Sequence, residues 1–369
     1  MSGQQAERLR RLAALRGCDV VLSGARPATV GERLDAMRAA LPEDTLPDVY
    51  GEGGVVEHVE HRIADLLGAE TAVLFPTGTM AQQVALRHGA EVTGRDAVAL
   101  HPLSHPLVHE RDAYAVLTGL RAARTPDGAR FPTAEEVTDL GEPFGTLLLE
   151  LPLRDAGFLL PTWNELVAVV DAGRARGARV HVDGARLWES TVHLGRPAPA
   201  VTALVDSVYV SLYKSLGGVS GAVLAGDPEL TGYARAWRHR YGGTVFQQWP
   251  AALAALHGLD HELPRLPGYV AHARLVAETL ATIPGARVFP APPHTHQFRF
   301  WLPYPADALN DAALTLAEEE KAWFVGQWRD TDVPGLALAE VTVADPALEL
   351  DADQISDLAA RFLHRVPTN

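Results

Sequence analysis

Short apolar runs alternate with amphipathic stretches along the first two thirds of the chain. The runs predict buried strands at Thr71–Phe75, Thr146–Leu151, Arg179–Val182, Ser207–Leu212 and Ala222–Ala225. Between several of these runs the apolar residues recur at helical spacing, which predicts helices at Val56–Leu67, Thr79–Arg87 and Trp163–Arg176. Because nearly continuous apolar strands need cover on both faces, this alternation predicts an α/β fold with a large, mostly parallel sheet.

The pattern changes after about residue 255. A helical stretch at Ala251–Leu263 is followed by Pro264 and Pro267. Beyond these prolines, the chain predicts strands at Phe298–Leu302 and Leu336–Val343 and helices at Tyr269–Thr282 and Gln354–Leu363. We therefore expect an N-terminal segment over residues 1–18, a large α/β domain over residues 19–255 and a small C-terminal α+β domain over residues 256–369.

The charge balance and the cysteine content narrow the class of protein. Acidic residues outnumber basic residues by 46 to 32, and a net charge of −14 argues against binding to a nucleic acid backbone. Cys18 is the only cysteine, so a reducing compartment is expected. The first 17 residues carry four arginines without the apolar segment of a secretory signal. No apolar run approaches the roughly 18 residues of a membrane span, so we expect a soluble cytoplasmic protein.

Lysine is nearly absent from this chain. The 32 basic residues comprise 30 arginines and two lysines, Lys214 and Lys321. Lys214 follows the apolar run Ser207–Leu212, so it is expected at the carboxyl end of a buried strand, where α/β proteins bind ligands. A lysine there is partly desolvated, and its amine becomes a nucleophile able to form a Schiff base. The alternative interpretation is an ordinary surface lysine at a strand end, which is the character of Lys321 beside three glutamates.

Asp183 also follows an apolar run, in the segment His181-Val-Asp-Gly-Ala-Arg186. A carboxylate beside a pyridine nitrogen keeps that nitrogen protonated, which is what makes pyridoxal phosphate (PLP) an electron sink. The alternative is an aspartate that caps the turn before Gly184, which by itself is the commoner role.

A third strand end lies in the segment Phe75-Pro-Thr-Gly-Thr-Met80, where a turn of small residues leads into a helix. Free backbone amides at a helix N-terminus bind phosphate, and the Thr79 hydroxyl is a further donor. Ordinary N-capping by Thr77 or Thr79 is the alternative. Neither a Walker A motif nor Gly-x-Gly-x-x-Gly is present, so nucleotide binding receives no support.

The three segments together supply a phosphate site, a partner for a ring nitrogen and a Schiff-base amine. With Tyr50-Gly-Glu52 and Ser104-His105, they resemble the threonine aldolases of the β-eliminating lyase family, over about residues 50–255. The resemblance implies the fold of the fold-type I PLP enzymes, with PLP as cofactor and an amino acid as substrate. It also implies a homo-oligomer, dimeric or tetrameric, with active sites at subunit interfaces.

The resemblance further implies individual roles. Lys214 would hold PLP through a Schiff base, Asp183 would pair with the ring nitrogen, and His105 would stack on the ring and act as a base. Phosphate contacts would come from Gly78, Thr79, Met80 and Ser211. Contacts to the ring hydroxyl or the substrate would come from Arg186, Ser23 and Tyr50.

Three positions depart from the family pattern. No histidine follows the strand ending near Glu150, Phe246 stands where a cationic phosphate contact is usual, and Leu336–Glu340 lacks the arginine that clamps a substrate carboxylate. The sequence leaves four candidates to replace that arginine: Arg154, Arg240, Arg299 and Arg329.

The expected reaction is the aldol cleavage, or the reverse formation, of a β-hydroxy-α-amino acid, giving glycine and an aldehyde. Another PLP lyase or transaldolase, acting by β-elimination or in a specialised carbon–carbon step, is the first alternative. A non-catalytic protein with the same fold is the second.

A histidine repeat invites a metal-binding interpretation. His101, His105 and His109 recur at every fourth residue, a spacing that aligns ligands on one helix face. Pro102 and Pro106 interrupt that helix, so no metal site is expected.

Overall fold

The computed structural model describes residues 3–39, 41 and 44–367. Its strands, in chain order, are β1 (Val20–Val21), β2 (Thr71–Phe75), β3 (Ala97–Leu100), β4 (Arg121–Arg124), β5 (Thr146–Glu150), β6 (Arg179–Asp183), β7 (Ser207–Ser211), β8 (Ala222–Gly226), β9 (Arg287–Phe289), β10 (Gln297–Leu302), β11 (Ala322–Trp323), β12 (Arg329–Asp330) and β13 (Ala337–Thr342).

The helices lie between these strands and after them. In chain order they are α1 (Gly3–Arg16), α2 (Val30–Ala39), α3 (Gly54–Leu67), α4 (Gly78–Thr93), α5 (His105–Val108), α6 (Ala113–Val116), α7 (Ala134–Thr138), α8 (Trp163–Ala175), α9 (Leu187–Leu194), α10 (Ala198–Thr202), α11 (Pro228–Arg240), α12 (Trp249–His261), α13 (Leu266–Ala281), α14 (Ala306–Glu320) and α15 (Ala352–His364). Short 3₁₀ turns occupy Arg154–Ala156, Leu263–Arg265 and Asp345–Glu349. Within the described part of the chain, no helix is long and apolar enough to cross a bilayer.

The chain divides into two compact units, one formed by Leu34–Pro264 and the other by Met1–Arg33 together with Arg265–Asn369. This division differs from the expected one at both ends of the large domain. Residues 19–33 group with the C-terminal residues, because β1 pairs in parallel with β11, Val20 opposite Ala322. The later boundary falls at Pro264, shortly after α12 has ended, and not at residue 255.

The larger unit is built on a seven-stranded sheet, counted over the described residues, with the order β2-β8-β7-β6-β5-β3-β4. β8 is antiparallel to both of its neighbours, and the remaining pairs are parallel. Every residue of β3, β5, β7 and β8 is buried. This agrees with strands covered by helices on both faces and confirms the predicted α/β fold.

Helix α3 shows how the sequence sets these elements. Its residues Val56, Val59, Ile63 and Leu67 are fully buried at helical spacing, so one face of the helix packs on the core. The helix ends at Gly68, whose φ of 64° places it in the left-handed region that glycine adopts without strain.

The smaller unit contains an antiparallel sheet with the order β12-β13-β10-β9. In β10, buried and half-buried residues alternate, as expected for a sheet with one face on a core. Phe298, Phe300 and Leu302 of that strand are fully buried and pack with residues of α13, α14 and α15. This unit therefore has the α+β character predicted for the C-terminal part of the chain.

Candidate active site

The carboxyl ends of the parallel strands in the larger unit surround a cleft of about 290 Å³. Five residues singled out from the sequence line it: Gly78, Thr79, His105, Asp183 and Lys214. The other lining residues are Pro76, Thr77, Gln82, Glu110, Tyr209, Tyr213, Val219, Ser220 and Gly221. The cleft lies where ligands bind in α/β sheets, because the loops that follow the strands all open at this edge.

Lys214 follows β7 in a loop that is held by its own backbone. Gly218 donates to the carbonyl of Leu212 (3.0 Å), and Gly217 donates to the carbonyl of Lys214 (3.2 Å). Burial lowers the pKa of the Lys214 amine, and although the Asp183 carboxylate opposes this effect, the net shift is downward. A lysine with a lowered pKa carries more of the neutral amine that attacks a carbonyl group.

Asp183 is the last residue of β6 and is only 2% exposed. Its Oδ1 accepts a hydrogen bond from the backbone N–H of Ala185 (3.1 Å), and its Oδ2 accepts one from Nε2 of Gln82. Burial acts to lower the pKa of both His105 and Lys214, and the Asp183 charge opposes this effect at both, although the net shift of Lys214 stays downward. The Asp183 carboxylate therefore stabilises the protonated forms of both His105 and Lys214.

Helix α4 begins at the cleft. Its N-cap is Thr77, whose Oγ1 accepts from the backbone N–H of Met80 (3.3 Å). Gly78 lies so close to Tyr209 that a Cβ at this position would stand 2.2 Å from the tyrosine hydroxyl. The glycine keeps this helix end open, and the backbone amides of the first turn are the donors that anions use at a helix N-terminus.

His105 begins α5 and is fixed by two carboxylates. Its backbone N–H donates to Glu150 (2.7 Å), and its Nδ1 bonds Glu110 (3.2 Å). Glu110 is held in turn by Nε2 of Gln83 (2.8 Å). Burial acts to lower the pKa of His105, but the bond to Glu110 and the charges of Asp183 and Glu110 outweigh it, so the pKa is raised. Because Nδ1 faces Glu110, Nε2 is the nitrogen left to exchange protons.

Three buried glutamates of this region were missed by the sequence analysis: Glu110, which holds His105, and two whose pKa is raised, Glu150 and Glu189. Burial and the neighbouring Asp183 raise the pKa of Glu150 to about 7. Burial also raises the pKa of Glu189 to about 7, although Oγ of Ser215 donates to its carboxylate (2.6 Å). A signal existed for Glu150, since a carboxylate that ends an apolar strand run is unusual. Glu189 lies in a helix, and nothing in its local sequence marks it.

The remaining predicted residues are not among those that line the described cleft. Met80 packs its side chain against the apolar cluster between α4 and α11. Ser211 is buried at the end of β7, where its Oγ accepts from the N–H of Tyr213 (3.4 Å). Arg186 is half-buried, with its guanidinium 5.5 Å from the centre of the Phe158 ring.

Tyr50 and Ser23 are also absent from the lining of the described cleft. Tyr50 is 54% exposed on a turn, where its ring meets that of Phe246 at 5.4 Å. Ser23 belongs to the smaller unit, where its Oγ accepts from the N–H of Thr342 (3.1 Å).

The cleft fits the three polar parts of PLP. The open end of α4 suits a phosphate, the buried carboxylate of Asp183 suits a protonated ring nitrogen, and the amine of Lys214 suits an aldehyde. The space that Gly78 leaves beside Tyr209 would be filled by any Cβ, so the cleft depends on glycine there.

Comparison with known proteins gives a consistent result. The beta-eliminating lyase family matches residues 26–300. The low specificity L-threonine aldolase of Escherichia coli K12 is 31% identical over 254 residues, which cover 67% of this chain and 74% of the relative. A structure from Exiguobacterium sp. 255-15, assigned as an aromatic amino acid beta-eliminating lyase/threonine aldolase, has a TM-score of 0.90 at 34% identity, over 96% of this chain and 99% of that one. One assigned as an L-allo-threonine aldolase, from Listeria monocytogenes EGD-E, has a TM-score of 0.90 at 31% identity, over 97% and 99%.

Proposed function

Because the chain belongs to the beta-eliminating lyase family, we propose that it cleaves a β-hydroxy-α-amino acid reversibly into glycine and an aldehyde. It is a threonine-aldolase-like, PLP-dependent enzyme that acts on an amino acid. The observation that carries the proposed reaction is the meeting, in one cleft, of Lys214, Asp183 and the open end of α4.

The residues proposed to hold the cofactor each contact a different polar part of it. Bound PLP supplies an electron sink for the electron pair released when the Cα–Cβ bond breaks. Lys214 would hold the cofactor aldehyde through its partly desolvated amine, and Asp183 would pair with the ring nitrogen. Gly78 and Thr79 would bind the phosphate through the backbone of the first turn of α4, with Met80 and Ser211 as further contacts.

His105 takes the proton of the substrate β-hydroxyl. Its Nδ1 is held by Glu110, so Nε2 receives the proton and returns it to the product. The raised pKa of His105 favours proton uptake near neutral pH. Glu110 thus fixes both the orientation of the ring and its basicity.

The substrate carboxylate requires a cation. Arg186 is the first candidate, and Arg154 is the second, since the charges of both arginines lower the pKa of Lys214. Arg154 follows β5 in the segment that lacks the usual histidine, and its guanidinium lies 3.4 Å from Asp155. Tyr50 completes the proposed substrate contacts of the larger unit.

The enzyme acts as a homo-oligomer, with active sites at subunit interfaces. Support comes from a cluster of exposed apolar side chains in the larger unit, which we call the Tyr50 patch. It consists of Val49, Tyr50, Val245 and Phe246, all at least 43% exposed, and its two rings are in contact. Exposed aromatic residues that lie together are typical of a surface covered by a partner.

Product analysis tests the reaction. The PLP-loaded enzyme should release glycine and an aldehyde from a panel of β-hydroxy amino acids, and it should condense glycine with an aldehyde in the reverse direction. A keto acid and ammonia would identify β-elimination and overturn the proposal. No product from any amino acid, in protein that binds PLP, would also overturn it. A Lys214→Arg variant assayed in parallel reports any contaminating activity.

A further inference from the structure

A chain of buried hydrogen bonds runs from Asp183 into the sheet. Nε2 of Gln82 bonds Oδ2 of Asp183, and Oε1 of the same glutamine bonds Nε2 of His181 (2.6 Å). Nδ1 of His181 bonds the hydroxyl of Ser207 (2.7 Å). Gln82 and His181 are each 1% exposed, so bulk water does not compete for these groups. Of these four hydrogen-bonded residues, Asp183 and Gln82 line the described cleft, whereas His181 and Ser207 do not.

These bonds have only one consistent direction when Asp183 is ionised. A carboxylate only accepts hydrogen bonds, so Gln82 turns its NH₂ group towards Asp183 and its oxygen towards His181. The imidazole must then donate from Nε2, which leaves Nδ1 to accept from the Ser207 hydroxyl. Every donor in this series of hydrogen bonds therefore points towards Asp183. Hydrogen bonds aligned in this way strengthen one another.

The charge state of His181 agrees with this direction. Burial lowers the pKa of His181 to about 4, in spite of the neighbouring Asp183 and the backbone of Ser207. The ring is thus neutral at physiological pH, with one donor nitrogen and one acceptor nitrogen. A neutral ring fixes the orientation of the glutamine amide without adding a positive charge that would compete with the cofactor for Asp183.

We propose that Gln82 is a positioning residue, which keeps Asp183 ionised and aimed at the ring nitrogen of the cofactor, and that His181 and Ser207 hold Gln82 in the orientation that does so. The inference rests on the proposed role of Asp183. Oδ1 of Asp183 accepts a hydrogen bond from the backbone N–H of Ala185. Removing the amide of Gln82 therefore removes the hydrogen bond that Oδ2 of Asp183 accepts. A buried carboxylate that loses a donor is less stable in its charged form.

The test compares two cofactors: PLP, and an analogue in which the ring nitrogen is replaced by carbon. Dissociation constants for the apo-protein, measured by equilibrium dialysis, should favour PLP in the wild type. Gln82→Met should weaken PLP binding by roughly ten-fold, as for a lost bond to a charged group. The same change should leave binding of the analogue unaltered. Equal weakening of both compounds would leave Gln82 with a structural role and overturn the proposal.

Two variants serve as references. Gln83→Met removes the neighbouring buried amide, which bonds Glu110 instead, and should leave the ratio of the two constants unchanged. A ratio that falls equally in this variant would overturn the specific role of Gln82. Asp183→Asn should abolish the preference for PLP. If Asp183→Asn keeps that preference, the proposed role of Asp183 itself fails, whatever Gln82 does.

A second substitution and a spectrum guard against misfolding. Gln82→Leu removes the amide at a similar side-chain volume, so it should also lose the preference for PLP. A full preference in this variant would contradict the proposal. In the ¹⁵N spectrum of histidine-labelled apo-protein at pH 7, His181 should be neutral and carry its proton on Nε2. A proton on Nδ1 would reverse the bond direction and overturn the proposal.

Discussion

Glu150 and Asp183 stand opposite each other, as the last paired residues of the neighbouring strands β5 and β6. The two residues are 8% and 2% exposed. Two neighbouring carboxyl groups in a buried environment are not easily ionised together, because burial and the like charge both disfavour the second ionisation. The pKa of Glu150 is raised to about 7, so this residue keeps its proton in mildly acidic solution, where Asp183 can be ionised in the cleft.

This arrangement predicts a pH dependence of stability. Between about pH 4.5 and 7 the folded protein holds a proton on Glu150 that the unfolded chain has released. The free energy of unfolding therefore falls as the pH rises through this interval, by a contribution on the order of 3 kcal/mol. Glu150→Gln should remove that contribution, so the variant loses less stability than the wild type between pH 5 and pH 8. Urea titrations of the apo-protein measure it.

The exposed Glu229 provides the control, since Glu229→Gln should follow the wild-type slope. If Glu150→Gln also keeps the wild-type slope, Glu150 is already ionised in the folded protein and the argument from burial is wrong.

The two lysines form a matched pair for testing the covalent link. Lys214→Arg keeps a positive charge, but arginine does not deprotonate and cannot form a Schiff base. We expect this variant to lose the visible absorbance band of the lysine-bound cofactor, and to lose fixation of the cofactor by borohydride. Lys321→Arg should keep both, because Lys321 ends α14 on the surface of the smaller unit. Mass spectrometry of the borohydride-treated proteins locates the link, and a fixed cofactor in Lys214→Arg would refute the assignment.

The packing of the Lys214 loop depends on Gly258 of α12. A Cβ on Gly258 would stand 2.1 Å from the carbonyl oxygen of Leu216, so Gly258→Ala must displace the loop two residues from the lysine. We expect a loss of about 1–3 kcal/mol in unfolding free energy and weaker retention of PLP. Thermal unfolding and dialysis measure the two effects.

Gly232 of α11 is the matched control, because a Cβ there meets no atom within 4 Å. Gly232→Ala should raise stability by up to about 1 kcal/mol, since alanine favours a helix over glycine. Equal behaviour of the two variants would show that the loop accommodates the methyl group.

The Tyr50 patch predicts how the subunits assemble. Phe246 is 57% exposed and meets the Tyr50 ring edge to face, so Phe246→Asp should bury a charge at the proposed interface and shift the protein towards smaller species. Val333, which is also 57% exposed, provides a control substitution to Asp in the smaller unit. Sedimentation velocity distinguishes the outcomes. A monomeric wild type would contradict the proposed oligomer, and an oligomer indifferent to Phe246→Asp would place the interface elsewhere.

The sequence by itself determined the α/β class and the positions of Lys214, Asp183 and the start of α4. Each follows an apolar run, and parallel strands open their carboxyl ends at one edge of a sheet. A local pattern therefore predicted the shared cleft. The strands β3 and β4 were not predicted. β4 has exposed arginines at both of its ends, so its residues lack the hydrophobic pattern that marks a buried strand.

Only the tertiary structure decided the environment of these groups. Gln82 reaches Asp183 across 101 residues of sequence, and Glu150 meets Asp183 through strand register. Neither the register of two distant strands nor the depth of a carboxyl group is encoded in a local pattern, because both depend on which segments pack together. Local sequence thus placed the reactive groups at one edge of the sheet, and packing set their protonation and their partners.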